Sequence, residues 1–312
     1  MSHPQDKKIP ELTVLIASFN ARSTIKACLD SLRGQRTVRC FEIILVDSGT
    51  DGTAELVASQ YPEVQLLHSP RRLYCGDARN WGIAQARAPL VALLDADCVV
   101  LDNWIEAVWE AHRHPHLTVA GAVHNGSRSL ASWVYYFCEF SLWVPARYPR
   151  LIREAPGCAL SMKRAAFERF GPFPEKTYCS DTVFHWRMQS AGEPVLFWPT
   201  IAIYHTYQKG WGDLLSHIAE HRRYFAAIQV REKGWGRARR LIAMSALPLL
   251  PFLLTGAVAW RLRRAPRLYL PFLAAALPMF LGFCARSCGE MLGYWRPQLT
   301  IASRQYSTTA TQ

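Results

Sequence analysis

The stretch that decides the fold is Pro89-Leu90-Val91-Ala92-Leu93-Leu94-Asp95-Ala96-Asp97-Cys98. Its apolar, partly β-branched run predicts a buried strand, which ends in two carboxylates separated by one residue. Alternate residues of a strand project to the same side, so Asp95 and Asp97 are expected to point together. Such a pair suits a hard divalent cation, Mg²⁺ or Mn²⁺. The alternative is that both aspartates only hydrate the end of a strand.

The chain before this stretch alternates between strand and helix patterns. Apolar strands are expected to start at Leu12, Phe41 and Val64, and apolar residues at helical spacing lie between them. This alternation predicts an α/β fold with a mostly parallel sheet flanked by helices and joined by right-handed crossovers. Ligands bind at the carboxyl ends of the strands in such sheets. Polar residues stand at three of these ends: Ser18, Asp47 and the Asp95–Asp97 pair.

Two further residues suggest what such a site binds. Asp47 is a candidate for hydrogen bonds to a nucleotide base or ribose, and the alternative is an ordinary turn residue. Arg79 stands near the start of a predicted helix, where the helix dipole favours anions. A bound diphosphate would explain a guanidinium at this position, because it pairs well with phosphate oxygens. The alternative is a surface arginine.

Four blocks of the sequence together resemble the family 2 glycosyltransferases, inverting enzymes with the GT-A fold. The blocks are Ala17-Ser18-Phe19-Asn20, Val46-Asp47-Ser48-Gly49-Thr50-Asp51-Gly52-Thr53, Gly76-Asp77-Ala78-Arg79-Asn80 and Leu94-Asp95-Ala96-Asp97. The resemblance covers roughly residues 11–210 and implies a nucleotide-sugar donor, with a UDP-sugar expected first and GDP- or dTDP-sugars as alternatives. The residues it assigns to the donor are Ser18, Asp47, Arg79 and Asp95, and those it assigns to the metal are Asp97, Asp95 and His205.

A fifth block, Cys179-Ser180-Asp181 through Gly192, extends the resemblance. It implies that Asp181 is the general base, although an aspartate at a helix start is also an ordinary N-cap. Inverting transfer needs one carboxylate to accept the proton of the acceptor hydroxyl as that oxygen attacks the anomeric carbon. Ser48 and Ser180 replace residues that are often acidic in the family. Three more residues are assigned by resemblance to the acceptor side: Gly157, Cys158 and Arg187.

Two local structures are expected between these blocks. The basic, proline-flanked segment 147–155 predicts a mobile loop that could close over the donor. The segment 156–162, which holds Gly157 and Cys158, predicts a short edge strand.

The last third of the chain is basic and apolar. The net charge is +12, and residues 221–312 hold 14 basic and 2 acidic side chains, whereas residues 1–220 hold 22 of each. The runs 241–260 and 268–285 carry no charge, and each is about long enough to cross a hydrocarbon core of roughly 30 Å. Basic flanks of this kind suit an anionic membrane surface rather than nucleic acid. Two spans, a re-entrant hairpin and a buried hairpin of a soluble oligomer remain alternatives.

Cysteine usage and the N-terminus bear on the compartment. The nine cysteines are scattered without a Cys-x-x-Cys pair, and residues 1–10 are polar. These features indicate reduced thiols and a catalytic domain in the cytoplasm. Together with the apolar, basic tail, they predict a protein at the cell membrane whose catalytic domain faces the cytoplasm. Five segments are expected: a polar tail (1–10), a GT-A domain (11–220), a basic linker or helix (221–240), a membrane-associated hairpin with a juxtamembrane segment (241–296) and a polar tail (297–312).

Three functions are compatible with this sequence. The first is metal-assisted, inverting transfer of a sugar to a lipid-linked or membrane-proximal glycan acceptor in polysaccharide biosynthesis. The second is a sugar-phosphate nucleotidyltransferase, which releases pyrophosphate and needs no base at Asp181. The third is a catalytically inactive membrane scaffold that binds nucleotide sugars, a hypothesis favoured by Ser48 and Ser180.

Overall fold

The computed structural model describes residues 9–207, 210–263 and 265–298. Contacts between residues divide the chain into two compact units. The sheet unit contains the chain up to Val123 together with Arg147–Lys176 and Phe184–His205. The helical unit contains His124–Ala146, Thr177–Val183 and the chain from Thr206 onward.

The first half of the sheet unit follows the predicted alternation. Its elements are β1 (Leu12–Ser18), α1 (Ile25–Arg33), β2 (Phe41–Asp47), α2 (Thr53–Gln60), β3 (Val64–His68), α3 (Cys75–Gln85) and β4 (Leu90–Asp95). Strand β1 pairs in parallel with β2 and β4, and β2 pairs in parallel with β3. Helix α1 buries the apolar residues that helical spacing places on one face. The predicted α/β class is confirmed.

The second half makes the sheet mixed. Between Cys98 and His205 the chain forms β5 (Cys98–Val100), α4 (Trp104–Ala111), β6 (Thr118–Asn125), α5 (Leu130–Phe140), β7 (Arg150–Ile152), β8 (Leu160–Lys163), α6 (Arg164–Phe170), α7 (Ser180–Ser190) and β9 (Val195–His205). Of these, α5 and the first turn of α7 belong to the helical unit. The strand order is β3-β2-β1-β4-β8-β6-β9-β5, and β7 pairs with β9. The strands after β4 enter this sheet through antiparallel pairs, among them β4 with β8 and β5 with β9.

Three local predictions are wrong. Strand β4 ends at Asp95, and Asp97 lies in a two-residue turn before β5, so strand alternation does not set its direction. Strand β8 is not an edge strand, because β4 and β6 pair with its two sides, and Gly157 and Cys158 precede it in a buried 3-10 turn. The segment 147–155 is not entirely a loop, because it contains β7.

In the described residues, the helical unit contains α5, the first turn of α7 and four helices that follow residue 210. These are α8 (Trp211–Glu232), α9 (Arg237–Ala246), α10 (Leu250–Leu262) and α11 (Tyr269–Trp295). Helix α11 packs along α8 and α5 and forms a hairpin-like pair with α10. The predicted boundary between residues 220 and 221 falls inside α8, and the predicted tail 297–312 lies almost wholly outside the described residues.

Glycines let α11 approach the backbone of α8. A Cβ atom on Gly289 would lie 2.8 Å from the carbonyl carbon of Ala219. A Cβ atom on Gly293 would lie 2.7 Å from the Cβ of Ala226. Only a residue without a side chain fits at such separations, so the two glycines set the distance between these helices.

The two apolar runs form long helical segments with exposed apolar side chains. Residues Arg237–Leu262 and Pro266–Trp295 are long and apolar enough to cross a membrane, by length and composition. A 3-10 turn at Leu247–Leu249, which contains Pro248, separates α9 from α10. Large exposed apolar side chains stand on α10 and α11, among them Phe252, Leu253, Leu270, Leu273 and Leu277.

Candidate functional site

The carboxyl ends of β1, β2 and β4 lie side by side in the sheet. Ser18 pairs in register with Asp47, and Ala17 pairs with Asp95. The structure therefore brings three of the sequence-predicted residues, Ser18, Asp47 and Asp95, together at the carboxyl ends of neighbouring strands.

Asp47 is fully buried, and only one of its two carboxylate oxygens has hydrogen-bond partners among the described residues. Its Oδ2 accepts a hydrogen bond from the Gly49 amide at 3.2 Å and lies 3.2 Å from Nδ1 of His68. Its Oδ1 is buried and has no hydrogen-bond partner among the residues the structure describes, and the same holds for Oγ of Ser18. A buried polar atom without a hydrogen bond destabilises the fold, so the carboxyl ends of β1 and β2 suit a ligand that supplies hydrogen-bond partners.

The turns after β1 and β2 interlock. Asn20 has a positive φ of 51°, and its Oδ1 accepts a hydrogen bond from the Thr50 amide at 2.9 Å. A Cβ atom on Gly49 would lie 2.9 Å from that Oδ1. The Ser48 hydroxyl accepts a hydrogen bond from the Leu73 amide at 3.1 Å. This hydrogen bond therefore anchors the segment between β3 and α3.

Arg79 is a buried residue, so the alternative of a surface arginine is wrong. It is 4% exposed, and its Nη2 lies 3.2 Å from Oδ1 of Asp95. A Cβ atom on Gly157 would lie 2.7 Å from the Arg79 Cζ, so the guanidinium occupies the space that the glycine leaves. Burying a charge is costly unless it is paired, and here Asp95 supplies the pairing.

Asp77 and Asn80, which flank Arg79, fix the segment between α6 and α7. Asn80 exchanges two hydrogen bonds of 2.9 Å with the backbone of Phe173, and Oδ2 of Asp77 accepts one from the Lys176 amide at 2.9 Å. Sequence reasoning did not assign these roles, although polar residues flanking Arg79 in one block were a signal.

Asp97 and His205 lie together at the ends of β5 and β9. Cys98 pairs in register with His205, and Oδ1 of Asp97 lies 3.5 Å from the His205 Nε2. Asp97, Cys98 and His205 offer donor atoms within 4.8 Å of one another. Burial raises the pKa of Asp97, His205 lowers it and Asp95 raises it further. A cation bound here would favour the ionised carboxylate.

Two of these three side chains, Asp97 and His205, suit a divalent transition metal, whereas Cys98 does not. A carboxylate oxygen and an imidazole nitrogen are ligands that Mn²⁺ accepts. Cys98 is the less suitable member of the set, because a thiol is a soft ligand whereas Mg²⁺ and Mn²⁺ prefer harder ligands. Burial also raises the pKa of its thiol. The sequence prediction missed Cys98, whose only signal was its position after Asp97.

The two predicted residues on α7 have defined contacts. Asp181 lies in the first turn, and its Oδ1 accepts a hydrogen bond from the Thr182 amide at 2.9 Å. Arg187 donates from Nη1 to the carbonyl oxygens of Phe170 at 2.9 Å and Pro172 at 2.6 Å. Its guanidinium thus holds the segment after α6, and an acceptor-side role stays a prediction.

A mixed α/β sheet with acidic side chains at the carboxyl ends of its parallel strands is what the resemblance to GT-A glycosyltransferases predicts. Residues 13–170 match the sequence model of "Glycosyl transferase family 2". This match covers half of the chain, and the chain therefore belongs to that family.

Curated relatives match over part of their length. The succinoglycan biosynthesis protein ExoO of Rhizobium meliloti (strain 1021) is 35% identical over 101 residues, which is 32% of this chain and 29% of the relative. The pre-mycofactocin glycosyltransferase of Mycobacterium tuberculosis (strain ATCC 25618 / H37Rv) is 23% identical over 244 residues, which is 74% of this chain and 51% of the relative. The chain spans about half or less of the length of these relatives.

A solved structure shares the fold. The mannosyltransferase PcManGT from Pyrobaculum calidifontis, in complex with GDP-Man and Mn²⁺, superimposes with a TM-score of 0.56 at 17% identity. The superposition covers 96% of this chain and 88% of that one. The GT-A fold predicted from the sequence is confirmed.

Proposed function

We propose that this chain transfers a sugar, with inversion, from a nucleotide-sugar donor to a hydroxyl group of a membrane-proximal acceptor. The proposal rests on the polar side chains at the carboxyl ends of β1, β2 and β4. There the buried Asp47 Oδ1 and Ser18 Oγ have no partner among the described residues, and the buried Arg79, paired with the partly exposed Asp95, stands beside them. Membership of a glycosyltransferase family favours transfer over the nucleotidyltransferase and scaffold alternatives.

The donor would bind at the carboxyl ends of β1, β2 and β4. Asp47 would accept hydrogen bonds from the base or ribose, and the Ser18 hydroxyl would add another. Arg79 would bind the diphosphate, since guanidinium pairs strongly with phosphate oxygens. Asp95 holds the guanidinium in place before the donor arrives. PcManGT was solved with GDP-Man, which supports a nucleotide-sugar donor. A UDP-sugar remains the first candidate, and GDP- and dTDP-sugars are the others.

A divalent cation would be held by Asp97 and His205, with Asp95 close by. When bound, it would offset the negative charge that develops on the departing diphosphate. The Mn²⁺ in the PcManGT complex supports a cation of this class, and Mg²⁺ is the alternative. Asp97 and His205 contribute fixed positions, because both lie at the ends of paired or adjoining strands.

Asp181 would act as the general base. Its carboxylate takes the proton of the acceptor hydroxyl while that oxygen forms a bond to the anomeric carbon. The bond between the anomeric carbon and the diphosphate oxygen breaks, and Arg79 stabilises the negative charge that leaves with the nucleoside diphosphate. One carboxylate suffices, because the charge on the departing diphosphate is stabilised electrostatically and needs no general acid, unlike the leaving group in glycoside hydrolysis.

The acceptor would be a lipid-linked or membrane-proximal glycan. Exposed leucines on α10 and α11, together with Phe252, would lie in lipid, and the excess of basic residues after position 220 would face anionic head groups. The catalytic part would then work at the cytoplasmic face of the cell membrane. The similarity to a succinoglycan biosynthesis protein supports a role in polysaccharide synthesis.

Ligand-induced thermal stabilisation tests this proposal. Detergent-purified protein is melted with UDP, GDP, dTDP or CDP, with and without Mn²⁺ or Mg²⁺. Binding to the native state adds about 2.7 kcal/mol at a hundredfold ligand excess over Kd, so one nucleotide should raise the Tm in a metal-dependent way.

Two substitutions sharpen the test. Asp97→Asn should remove the metal dependence, whereas Asp102→Asn, which changes an exposed aspartate paired with Arg36, should leave it intact. A folded protein that no nucleotide stabilises would contradict the donor site.

A further inference from the structure

A cleft lies beside the middle of β9, in the sheet unit. Strand β7 pairs with residues 195–197 and β5 pairs with residues 203–205, so residues 198–200 lie between these two pairings. They are half-buried or exposed, although the strand residues on both sides of them are buried. Together with α4 and the start of the segment 147–155 they enclose a cavity of about 440 Å³. Small-molecule sites typically measure roughly 300–1,000 Å³, so the cleft can hold an organic ligand.

Trp198 supplies an aromatic wall of this cleft. Its ring packs against the ring of His114, with the centroids 5.0 Å apart and the planes tilted by 49°. The residue is half-buried and lines the cavity, so part of the indole is open to a ligand. An indole braced by a neighbouring ring is a rigid surface on which apolar C–H groups can pack.

Two carboxylates of α4 line the cleft and already have cationic partners. Glu106 accepts a hydrogen bond from the Thr37 hydroxyl at 2.5 Å and one from Nε of Arg39 at 3.0 Å. The Thr37 hydrogen bond lowers the pKa of Glu106, burial raises it and Arg39 lowers it further, so the carboxylate is ionised at neutral pH. Glu110 pairs with Arg113 at 3.2 Å. Each carboxylate oxygen has two lone pairs, so both side chains keep acceptor capacity for a ligand.

Hydrogen-bond donors line the same cleft. Asn103 is the N-cap residue of α4, but its side chain makes no capping hydrogen bond, so its amide can serve a ligand. Arg147 and Thr200 are exposed and add a guanidinium and a hydroxyl to the lining. Donors, acceptors and an aromatic wall thus converge on one cavity, which is the usual make-up of a specific small-molecule site.

The chemistry of the lining suits a carbohydrate better than a charged ligand. Arg39 and Arg113 already balance the two carboxylates, so a cationic ligand would gain little. A phosphate group would place its charge beside those same carboxylates. A pyranose ring presents an apolar C–H face and a rim of hydroxyls, each of which both donates and accepts hydrogen bonds. The indole of Trp198 matches the face, and the carboxylates and the Asn103 amide match the rim.

We propose that this cleft is a glycan-binding subsite, in which a sugar ring stacks on Trp198 while Asn103 and Glu106 hydrogen-bond to its hydroxyls. The cleft is separate from the candidate donor site, whose residues lie at the carboxyl ends of β1, β2 and β4. During transfer the cleft holds a part of the acceptor glycan remote from the reacting hydroxyl, a role that rests on the proposed function.

Saturation-transfer difference NMR tests the subsite without nucleotide or metal. The full-length protein is purified in a detergent without a sugar head group, since a maltoside would compete, and cellotetraose, laminaritetraose and galactotetraose are titrated as probes. We expect saturable binding of at least one probe, with the strongest signals from the C–H protons of a sugar ring. Trp198→Ala should weaken that binding at least about tenfold, because the stacking surface is lost. Trp260→Ala, which removes an exposed tryptophan of α10, should bind as the native chain does.

Asn103→Ala guards against a fold defect in Trp198→Ala. Because the Asn103 side chain does not cap α4, its removal should leave the Tm unchanged while it weakens saccharide binding about two- to tenfold. Tetralysine and inorganic phosphate, used as charged probes, should not displace the saccharide. Absence of saccharide binding by the folded protein, native affinity in Trp198→Ala, or displacement by either charged probe would overturn the proposal.

The result does not depend on the donor site. Nucleotide-induced stabilisation depends on Asp47, Arg79 and Asp97, none of which lines the cleft. Cleft variants should therefore keep the nucleotide-induced rise in Tm, and saccharide binding can be present even if no nucleotide stabilises the protein.

Discussion

Gly157 acts through the space that it leaves for Arg79. Gly157→Ala would place a Cβ atom 2.7 Å from the Arg79 Cζ, which forces the guanidinium away from Asp95. We expect nucleotide affinity to fall at least about tenfold, because the diphosphate-binding group moves from its preorganised position. Isothermal titration with the stabilising nucleotide measures the loss.

The same substitution at Gly212 serves as the control. Nothing lies within 4 Å of a Cβ atom there, so Gly212→Ala should bind nucleotide as the native protein does. If Gly157→Ala kept its native affinity, Arg79 would not be the diphosphate ligand.

Asp181→Asn separates proton transfer from donor binding. The amide keeps the size of the carboxylate and can still accept from the Thr182 amide, but it is too weak a base to accept the acceptor proton. We expect transfer to fall by a factor of about 10² to 10⁴, with nucleotide-induced stabilisation unchanged.

The natural comparison is Asp213→Asn, which changes another aspartate in the first turn of a helix, α8. It should transfer sugar at the native rate. Unchanged transfer by Asp181→Asn would contradict the base assignment.

The sequence alone did not show which residues surround the candidate site residues. Asp95, Arg79 and Asp97 were singled out by type and spacing, which are local properties. That Arg79 is enclosed depends on Gly157, far along the chain, and that Asp97 faces His205 depends on the pairing of β5 with β9. Such contacts are set by the tertiary fold, so the candidates were predictable and their partners largely were not.

At the scale of elements, Glu42 joins β1 to the segment before β4. Its Oε1 accepts from the Thr13 hydroxyl at 2.7 Å and the Arg87 amide at 2.7 Å, and Oε2 accepts from Nε of Arg87 at 2.8 Å. Burial raises the pKa of Glu42, but these hydrogen bonds and the Arg87 charge outweigh it and hold the pKa below the ordinary 4.5. The depressed pKa stabilises the fold fully above about 4.5, and this stabilisation is lost as the pH falls through the folded value.

Glu42→Gln should therefore lower stability by about 1–2 kcal/mol at pH 7 and flatten the acid side of the stability profile. Thermal melts in detergent between neutral and acidic pH measure both effects. Glu55→Gln, which changes an exposed acid on α2, should alter neither. An unchanged acid slope in Glu42→Gln would show that other carboxylates set it.

The glycine contact between α11 and α8 gives the other prediction at this scale. Gly289→Ala would place a Cβ atom 2.8 Å from the carbonyl carbon of Ala219, so the helices must separate. We expect a loss of about 1–3 kcal/mol, read as a lower Tm in detergent.

On α10, Gly256→Ala meets nothing within 4 Å and should not destabilise the protein. An equal effect of both substitutions would refute the contact. The sequence showed these glycines but not their neighbour, because α8 lies about 70 residues earlier in the chain.

The strand–helix alternation before β4 was predictable because period and turn residues are local signals. The place of β8 was not. Its four residues read as an edge strand, yet they pair with β4 on one side and β6 on the other. Antiparallel pairing between distant segments depends on which edge is free, and a short window of sequence does not contain that information.

For the whole molecule, the proposed membrane attachment rests on the exposed apolar faces of α10 and α11. We expect the full chain to remain in the membrane fraction after high-salt and alkaline washes and to be released by detergent. Leu277→Arg, at an exposed position of α11 in the middle of the second apolar run, should cost about 2.5–3.5 kcal/mol of insertion and raise the soluble fraction.

Leu151→Arg changes an equally exposed leucine on β7 and should not alter the fractionation. Release of the native chain by salt alone would indicate that charge, and not apolar burial, holds it at the membrane.

The interior position of β8 also bears on how the chain reaches its native state. Until residues 160–163 are available, β4 has one open edge with unpaired backbone groups, and the strand that carries Asp95 is the one left open. An open, apolar strand edge is a template for pairing with another chain. A nascent chain is therefore most prone to aggregate between the synthesis of β4 and that of β8, and a fragment that stops short of β8 keeps this liability permanently.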